Sequence, residues 1–258
     1  MITFTDTHSH IYIEEFDVDR AEVIKDIIDA GITKMILPNI DKDSITKLKN
    51  TLSDYHEYCF GAMGLHPTSV NEDYKEQLDI IEEELFSDKD KYIAIGEIGL
   101  DLYWDKTYFD LQVEVLRKQF DWALELDLPV IIHSRKSEEY IINIIREKKY
   151  SGLRGVFHCW PGSKQQTKRI LDLGYYIGVG GVVTYKNSSL PELLKEVELE
   201  NILLETDSPY LSPVPYRGKR NDSKNILIIA EKVSEIKEIS LEDLSRITNE
   251  NVKKLFSI

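Results

Sequence analysis

The sequence predicts a (β/α)8 TIM barrel, an α/β fold that occupies residues 1–258 as a single domain. Eight short β-rich runs alternate with charged stretches of helical spacing, and eight such units need about 250 residues. The polar residues also gather at the carboxyl ends of the runs. A doubly wound open sheet is the alternative, but it usually carries a glycine-rich loop after its first strand. This chain has no such loop there, so the barrel is favoured.

The predicted strands are short runs that are rich in β-branched and aromatic residues. They are Ile2–His10, Lys34–Asn39, Tyr58–Gly64, Tyr92–Ile98, Pro129–His133, Leu153–His158, Tyr175–Val179 and Ile202–Glu205. Because a helical stretch separates most neighbouring runs, the strands are expected to run parallel in βαβ units.

The predicted helices repeat apolar residues every three or four positions. They are Asp19–Ala30, Phe109–Leu126, Ser137–Lys148, Ser163–Leu173 and Ser240–Phe256. The first places Ala21, Ile24, Ile27 and Ile28 on one face and stops at Gly31. The second has an apolar stripe of Leu111, Val115, Leu116, Phe120 and Ala123.

Composition limits the class of protein. At 42% hydrophobic residues the chain can bury a full core, and neither a membrane span nor a secretory signal is expected. The two cysteines, Cys59 and Cys159, fit buried free thiols in a cytoplasmic protein. With 32 basic against 46 acidic side chains, the net charge of −14 would repel nucleic acid. A polyanionic substrate would therefore need a local device, such as metal ions or a basic cluster.

Five of the six histidines lie at or just after the carboxyl ends of predicted strands, where barrel enzymes place their catalytic side chains. They are His8, His10, His66, His133 and His158, whereas His56 lies elsewhere. Two carboxylates join them, since Glu97 lies near the end of strand four and Asp207 follows strand eight. His8 and His10 are two residues apart, which puts both imidazoles on one side of an extended chain.

These residues predict two divalent-metal sites. Glu97 is predicted to bridge the ions, with one held by His8, His10 and Asp207 and the other held by His133 and His158. The set contains no thiolate, so Mg²⁺, Mn²⁺ and Zn²⁺ all suit it. Asp207 and Glu97 are the predicted catalytic residues, and Asp207 is the predicted general base on the water.

Substrate contacts are predicted from loops that follow the strands. His66 precedes Pro67 after strand three and is expected to contact substrate rather than metal. Arg135 follows strand five, and Arg217, Lys219 and Arg220 lie in a loop beyond Asp207. Arginine binds phosphate through a two-donor fork, so these four are candidate phosphate contacts.

Three features have two readings from sequence alone. Tyr103 and Trp104 could stack on a base or pack under their own loop. Asp6 could orient an imidazole or serve a structural hydrogen-bonding role. Glu205 lies two residues before Asp207, as Asp6 lies two residues before His8, and it has the same two readings.

The chain resembles the TatD family of metal-dependent hydrolases, within the amidohydrolase-like superfamily, through motifs that run in order over nearly its whole length. These are DTHSH (Asp6–His10), GLHP (Gly64–Pro67), GEIGLD (Gly96–Asp101), PVIIHSR (Pro129–Arg135), FHCW (Phe157–Trp160), ETDSPYL (Glu205–Leu211) and RGKRN (Arg217–Asn221). The resemblance implies a TatD-like hydrolase barrel and a Mg²⁺-dependent deoxyribonuclease with 3′-to-5′ exonuclease action on single strands or DNA ends. It also supports the ligand set and two divalent ions, with DNA as the binding partner. Neither a membrane nor an obligate protein partner is expected from the sequence.

Two stretches depart from the family pattern. The family commonly has Glu-Pro after RGKRN, where this chain has Asp222-Ser223, and often a basic residue where Asp105 follows Trp104. Either change alters a loop expected to meet substrate.

The alternative function is hydrolysis of small esters, lactones or amides on the same metals, which the net charge of −14 keeps open. Related binuclear hydrolases often bridge their metals with a carbamylated lysine, whereas Glu97 occupies that place here. The difference favours phosphodiester cleavage. A non-enzymatic scaffold is disfavoured, because the ligand set is complete.

Overall fold

Eight parallel strands form one sheet in chain order in the computed structural model, which describes residues 2–88 and 90–258. They are β1 (Phe4–Asp6), β2 (Ile32–Pro38), β3 (Cys59–Met63), β4 (Tyr92–Asp101), β5 (Val130–Arg135), β6 (Gly155–Phe157), β7 (Tyr176–Val179) and β8 (Ile202–Leu204). Main-chain bonds also join the first and last strands beyond their ends: Thr7 N donates to Leu204 O at 3.0 Å and Asp207 N to His8 O at 2.9 Å. The fold is the predicted (β/α)8 barrel.

Helices follow the strands, and the five predicted ones match α1, α4, α5, α6 and α9 to within a few residues. The helices are α1 (Arg20–Asp29), α2 (Ile45–Asp54), α3 (Tyr74–Ser87), α4 (Phe109–Leu126), α5 (Glu138–Ile145), α6 (Lys164–Asp172), α7 (Leu190–Leu194), α8 (Ile226–Lys237) and α9 (Leu241–Phe256). Ser163 begins α6 with a capping box to Gln166, and the Ser240 side chain caps α9. Within the described residues, no helix is long and apolar enough to cross a bilayer.

The buried faces differ from the predicted stripes in two helices. In α1, Val23 is buried and Ala21 is exposed, so the buried face is rotated from the predicted one. In α4, Gln112 and Gln119 are buried beside the predicted apolar residues. A hydrophobic pattern identifies apolar positions only, and a buried amide is admitted where it has main-chain partners.

The chain divides into two compact units. The first comprises Met1–Leu37, Thr51–Phe60 and Ile177–Ile258, and the second comprises Pro38–Asn50 and Gly61–Tyr176. In the first, strands β1, β2, β7 and β8 carry a core that includes Phe4, Met35 and Leu203. In the second, strands β4 to β6 and residues 61–63 of β3 carry a core that includes Ile95 and Ile131.

Gly99 of β4 pairs with His133 of β5. The residue has φ +148°, and a Cβ placed there would lie 1.9 Å from the His133 carbonyl oxygen. Only glycine therefore allows this strand pairing, and the pairing carries His133.

We expect Gly99→Ala to lower the free energy of unfolding by about 3–5 kcal/mol, because overpacking and an unfavourable φ act together. Gly174→Ala is the matched control, since Gly174 has φ +83° but nothing within 4 Å of its would-be Cβ. That control should lose only about 1–2 kcal/mol. Denaturant unfolding measures both, and equal losses would contradict the steric argument.

A largely buried carboxylate ties α3 to its surroundings. Glu84 accepts from Lys49 Nζ at 2.8 Å, Lys91 Nζ at 2.6 Å and Tyr92 Oη at 2.7 Å. Its side chain is 13% exposed. Burial raises the pKa of Glu84, but the hydrogen bonds from Lys49, Lys91 and Tyr92 outweigh it and lower the pKa to about 2.

The Glu84 ion cluster predicts a pH-dependent stability difference. Because the folded pKa lies below the ordinary value of 4.5, ionised Glu84 stabilises the fold above that pH and loses this effect as pH falls towards 2. Glu84→Gln should cost about 1–3 kcal/mol at pH 7 and progressively less below pH 4.5. Urea unfolding across pH measures this, with exposed Glu83→Gln as control. A constant difference would argue against the assignment.

Candidate metal centre

The first unit brings together His8, His10 and Asp207, with ligand atoms all within 4.8 Å of one another. The two Nε2 atoms of the imidazoles are 3.1 Å apart. Asp207 Oδ1 lies 3.8 Å from His8 Nε2 and 3.7 Å from His10 Nε2. Both imidazoles are buried, whereas the Asp207 side chain is 16% exposed. Three donor atoms thus converge on one point that solvent can reach.

His8 and His10 lie beyond β1, not within it, which corrects the predicted strand Ile2–His10. The strand ends at Asp6, but the extended pairing continues, since Ser9 N donates to Ile36 O and His10 N to Ser208 O. An isolated parallel bridge pairs Ser9 with Ser208. The alternation of side chains therefore persists past the strand, and the two imidazoles still share a side.

Asp6 fastens the two ligand-bearing segments together through their main chains. Its Oδ1 accepts from His8 N at 3.2 Å and Thr206 N at 2.9 Å, and its Oδ2 accepts from Thr206 Oγ1 at 2.5 Å. Complete burial raises the pKa of Asp6 to about 7, against opposing hydrogen bonds from Ser223, Thr206 and the His8 main chain. These bonds agree with the structural reading of Asp6.

Glu205 is buried, and its carboxylate lies against Gly178 of β7. A Cβ at Gly178 would lie 2.2 Å from Glu205 Oε2, so the carboxylate occupies the space that a side chain there would fill. Gly178 is thus required for the position of Glu205.

A buried amide secures the loop that carries Asp207. Asp207 has φ +58°, a left-handed conformation that aspartate adopts less readily than glycine but more readily than most other residues. Asn221 Nδ2 donates to Thr206 O at 2.9 Å and to Tyr210 O at 2.6 Å, on either side of Asp207. Asn221 N also donates to Pro209 O at 2.9 Å. The bonds from Asn221 thereby hold Asp207 in place.

The second unit gathers three imidazoles around one oxygen of Glu97. Glu97 Oε1 lies 3.0 Å from His133 Nδ1, 3.3 Å from His66 Nε2 and 3.3 Å from His158 Nε2. The Glu97 side chain is 3% exposed. Glu97, His133 and His158 are thus together as the sequence predicts, and His66, predicted to contact substrate, joins them.

Both groups have the dimensions of a divalent-metal site. Two ligands about 2.1 Å from Mg²⁺ or Zn²⁺ lie about 3.0–3.4 Å apart in octahedral or tetrahedral geometry. The separations around Glu97 fall in this range, and those to Asp207 exceed it by a few tenths of an ångström. Carboxylate oxygen suits Mg²⁺ and Mn²⁺, and imidazole nitrogen suits Zn²⁺, so the mixed donor set offers ligands to each of the three ions. The residues fit the ions that the sequence implies.

Asp101 is a functional candidate that the sequence prediction missed. Its Oδ2 lies 2.9 Å from His133 Nε2, so the His133 ring sits between Asp101 and Glu97. Burial raises the pKa of Asp101, but the bonds from His133 and from the amides of Tyr103 and Trp104 bring it below its ordinary value. The even spacing of residues 97 and 101 could have revealed it, because β4 continues through Asp101 instead of ending at the predicted residue 98.

Two further amides position the second group and were also missed. Gln119 Oε1 accepts from Leu65 N at 2.7 Å and Gln119 Nε2 donates to Leu65 O at 3.2 Å, which secures the residue before His66. Asn39 Nδ2 donates to Gly64 O at 2.9 Å, and the main-chain Asn39 O accepts from Glu97 N at 3.0 Å. A glutamine within the apolar stripe of α4 was the available signal for Gln119.

The four basic residues predicted to contact phosphate differ in the groups that their side chains contact. The Arg220 guanidinium pairs with Asp19 at 2.5 Å and also donates to Glu15 O, so its fork is occupied. Arg135, Arg217 and Lys219 are exposed, and their cations lie over aromatic rings. Of the four, only Arg220 forms an ion pair within the part of the chain that the structure describes.

We expect Asn221→Ala to weaken Mn²⁺ binding about 10–100-fold, because Asp207 loses its support and relaxes from the left-handed conformation. Titration followed by electron paramagnetic resonance measures the affinity, and circular dichroism checks the fold. Asn143→Ala, which removes an exposed amide from α5, is the control and should bind normally. Unchanged affinity in a folded Asn221→Ala protein would refute the positioning role.

Comparison with known proteins agrees with this architecture. Residues 5–257 match the family described as TatD related DNase. The chain is 37% identical to an uncharacterized metal-dependent hydrolase, YabD of Bacillus subtilis, over 98% of each protein.

Solved structures show the same fold. The crystal structure of YjjV, a TatD homologue from Escherichia coli, has a TM-score of 0.93 and 29% identity over 100% of both chains. A TatD family hydrolase from Entamoeba histolytica has a TM-score of 0.87 and 26% identity over 98% of each. With a family match along almost its whole length, the chain belongs to the TatD family and is a metal-dependent hydrolase.

Proposed function

We propose that this hydrolase, a single barrel domain of residues 1–258, cleaves phosphodiester bonds of DNA as a 3′-to-5′ exodeoxyribonuclease with two divalent ions, Mg²⁺ above Mn²⁺ or Zn²⁺. The observation that carries the proposal is the pair of imidazole–carboxylate groups, in each of which the ligand atoms are spaced closely enough to bind one divalent ion. The match to a family described as TatD related DNase supports the choice of substrate.

The residues have distinct roles in this proposal. Bound divalent ions would lower the pKa of water and offset charge on the phosphate. Asp207 accepts the proton from the attacking water, since its carboxylate is the more exposed member of its group. Glu97, His133 and His158 would hold one ion, and Asp101 orients the His133 ring through Nε2.

Basic side chains hold the strand despite the net charge of −14. Arg135, Arg217 and Lys219 are proposed to contact phosphates, because all three are exposed and available. His66, with its side chain 14% exposed beside Glu97, is proposed to contact substrate. Arg220 is left out of this set, since Asp19 occupies its fork.

We also propose a cytoplasmic location. Cys59 is a buried free thiol, which suits a reducing compartment. Burial raises the pKa of the Cys59 thiol to about 12, so it stays protonated and unreactive.

Cleavage of single-stranded DNA labelled at its 5′ end tests the function. Metal-depleted protein should be inactive, and adding back Mg²⁺, Mn²⁺ or Zn²⁺ separately should restore a ladder that shortens from the 3′ end. Glu97→Ala should lower the rate by about 10²–10³-fold or more, since it removes charge stabilisation at the reaction centre. Glu139→Ala, which removes an exposed carboxylate on α5, should leave the rate unchanged.

Two outcomes would contradict the proposal. Metal-dependent cleavage that is equal in wild type and Glu97→Ala would place the chemistry elsewhere. Turnover of carboxylic esters, lactones or amides without cleavage of DNA would favour the small-molecule hydrolase, the alternative that the strongly negative charge keeps open.

A further inference from the structure

Two aromatic side chains project from the loop after β4. Trp104 is 71% exposed and Tyr103 is 46% exposed. Their rings meet edge to face, with centroids 4.9 Å apart and planes at 88°. The other two tryptophans, Trp122 and Trp160, are 2% and 3% exposed. Trp104 therefore offers a face to solvent instead of packing under its own loop.

Cations border these rings. The Arg135 guanidinium carbon lies 3.9 Å from the Tyr103 ring centroid and 5.2 Å from that of Trp104. Lys136 Nζ lies 4.9 Å from the Tyr103 centroid. A guanidinium stacked on a ring keeps its in-plane N–H donors available for an anion. Aromatic surface and positive charge are thus combined in one patch.

Hydrogen bonds tie this loop to the second metal group. Asp101 Oδ1 accepts from Tyr103 N at 2.8 Å and from Trp104 N at 3.2 Å. Asp101 Oδ2 lies 2.9 Å from His133 Nε2. The Asp101 carboxylate therefore links the loop main chain directly to His133, a predicted metal ligand. This link fixes the position of the loop relative to the Glu97 group.

We propose that Tyr103, Trp104, Arg135 and Lys136, which we call the Trp104 platform, stack an unpaired nucleobase and hold an adjacent phosphate. The inference rests on the proposed nuclease function and specifies its substrate as an unpaired strand. Scattered exposed aromatics are ordinary, but a solvent-facing indole beside two cations matches what single-strand binding requires. A base inside a duplex has both faces covered by its neighbours, so an internal base can use the platform only when it is unpaired and unstacked.

Stacking also predicts that binding at the platform does not depend on the base sequence of the DNA. Every base has a π-face, so the platform accepts any base and reads no hydrogen-bonding edge. Asp105 and Lys106 follow Trp104, so the loop segment directly after the two aromatic residues has no net charge. The cations that lie over the two rings are Arg135, at the end of the neighbouring strand β5, and Lys136, just beyond it.

Direct binding measurements test the platform separately from cleavage. The probes are a phosphorothioate hexathymidylate, which resists hydrolysis, and an abasic strand of equal length, each with the Mg²⁺-loaded protein. Hexathymidylate should quench tryptophan fluorescence, because Trp104 is the accessible indole, and the abasic strand should not. By anisotropy of labelled strands, Trp104→Ala should raise the Kd for hexathymidylate about 5–100-fold, whereas Trp104→Phe should retain most of the affinity.

The phosphate contact has its own variant pair. Arg135→Gln should weaken binding of both strands, since both contain phosphates. Arg154→Gln makes the same charge change just before β6, at the opposite strand end from Arg135, and should leave both affinities unchanged. With cleavable DNA, Trp104→Ala should raise KM and leave kcat unchanged.

Two results would overturn the platform: equal affinity of the wild type for both strands, or unchanged Kd in Trp104→Ala. DNA cleavage with unchanged KM in Trp104→Ala would remove the platform and leave the nuclease proposal standing. Quenching by hexathymidylate but not by the abasic strand, without DNA cleavage under any metal, would support the platform and contradict the nuclease proposal.

Discussion

The candidate centre depends above all on a buried carboxylate that faces several imidazoles. Burying an ionised carboxylate is unfavourable unless hydrogen bonds or positive charge compensate it. Glu97 Oε1 has three imidazole nitrogens within 3.3 Å, and the backbone amide of Glu97 is bound by Asn39 O. Such a concentration of donor atoms contributes little to a hydrophobic core. It becomes favourable when a divalent cation replaces the missing charge.

A second shared feature is that buried polar side chains act on the main chain of the ligand-bearing segments. Asp6 binds the amides of His8 and Thr206, Asn221 binds carbonyls on either side of Asp207, and Gln119 binds both main-chain polar groups of Leu65. Ligands in a metal site must be held closely, yet several of these ligands lie beyond the ends of strands. Side-chain bonds to the backbone supply there the rigidity that a strand would otherwise provide.

The electrostatic effect of this protein on a polyanion differs between long and short range. The net charge of −14 disfavours a polyanion at long range, where salt screens the interaction beyond about 8–10 Å. Close to the candidate centre, Arg135 and Lys136 lie against exposed rings instead of carboxylates. A strand held there would be bound by contacts of short reach, which is compatible with a strongly acidic protein.

The sequence by itself determined the barrel, the order of its strands and, with the exception of His66, the residues that gather in the two groups. These features are local, because alternation of β-rich and helical stretches and the placement of histidines at strand ends are visible in short segments. Only the tertiary structure revealed the roles of Asp101, Gln119 and Asn221 and the pairing of Arg220 with Asp19. The bond between Asp6 and Thr206 spans 200 residues, and hydropathy patterns carry no information about such distant polar partners. Periodicity reports which residues are buried, whereas the partner that each buried polar group finds depends on the folded chain.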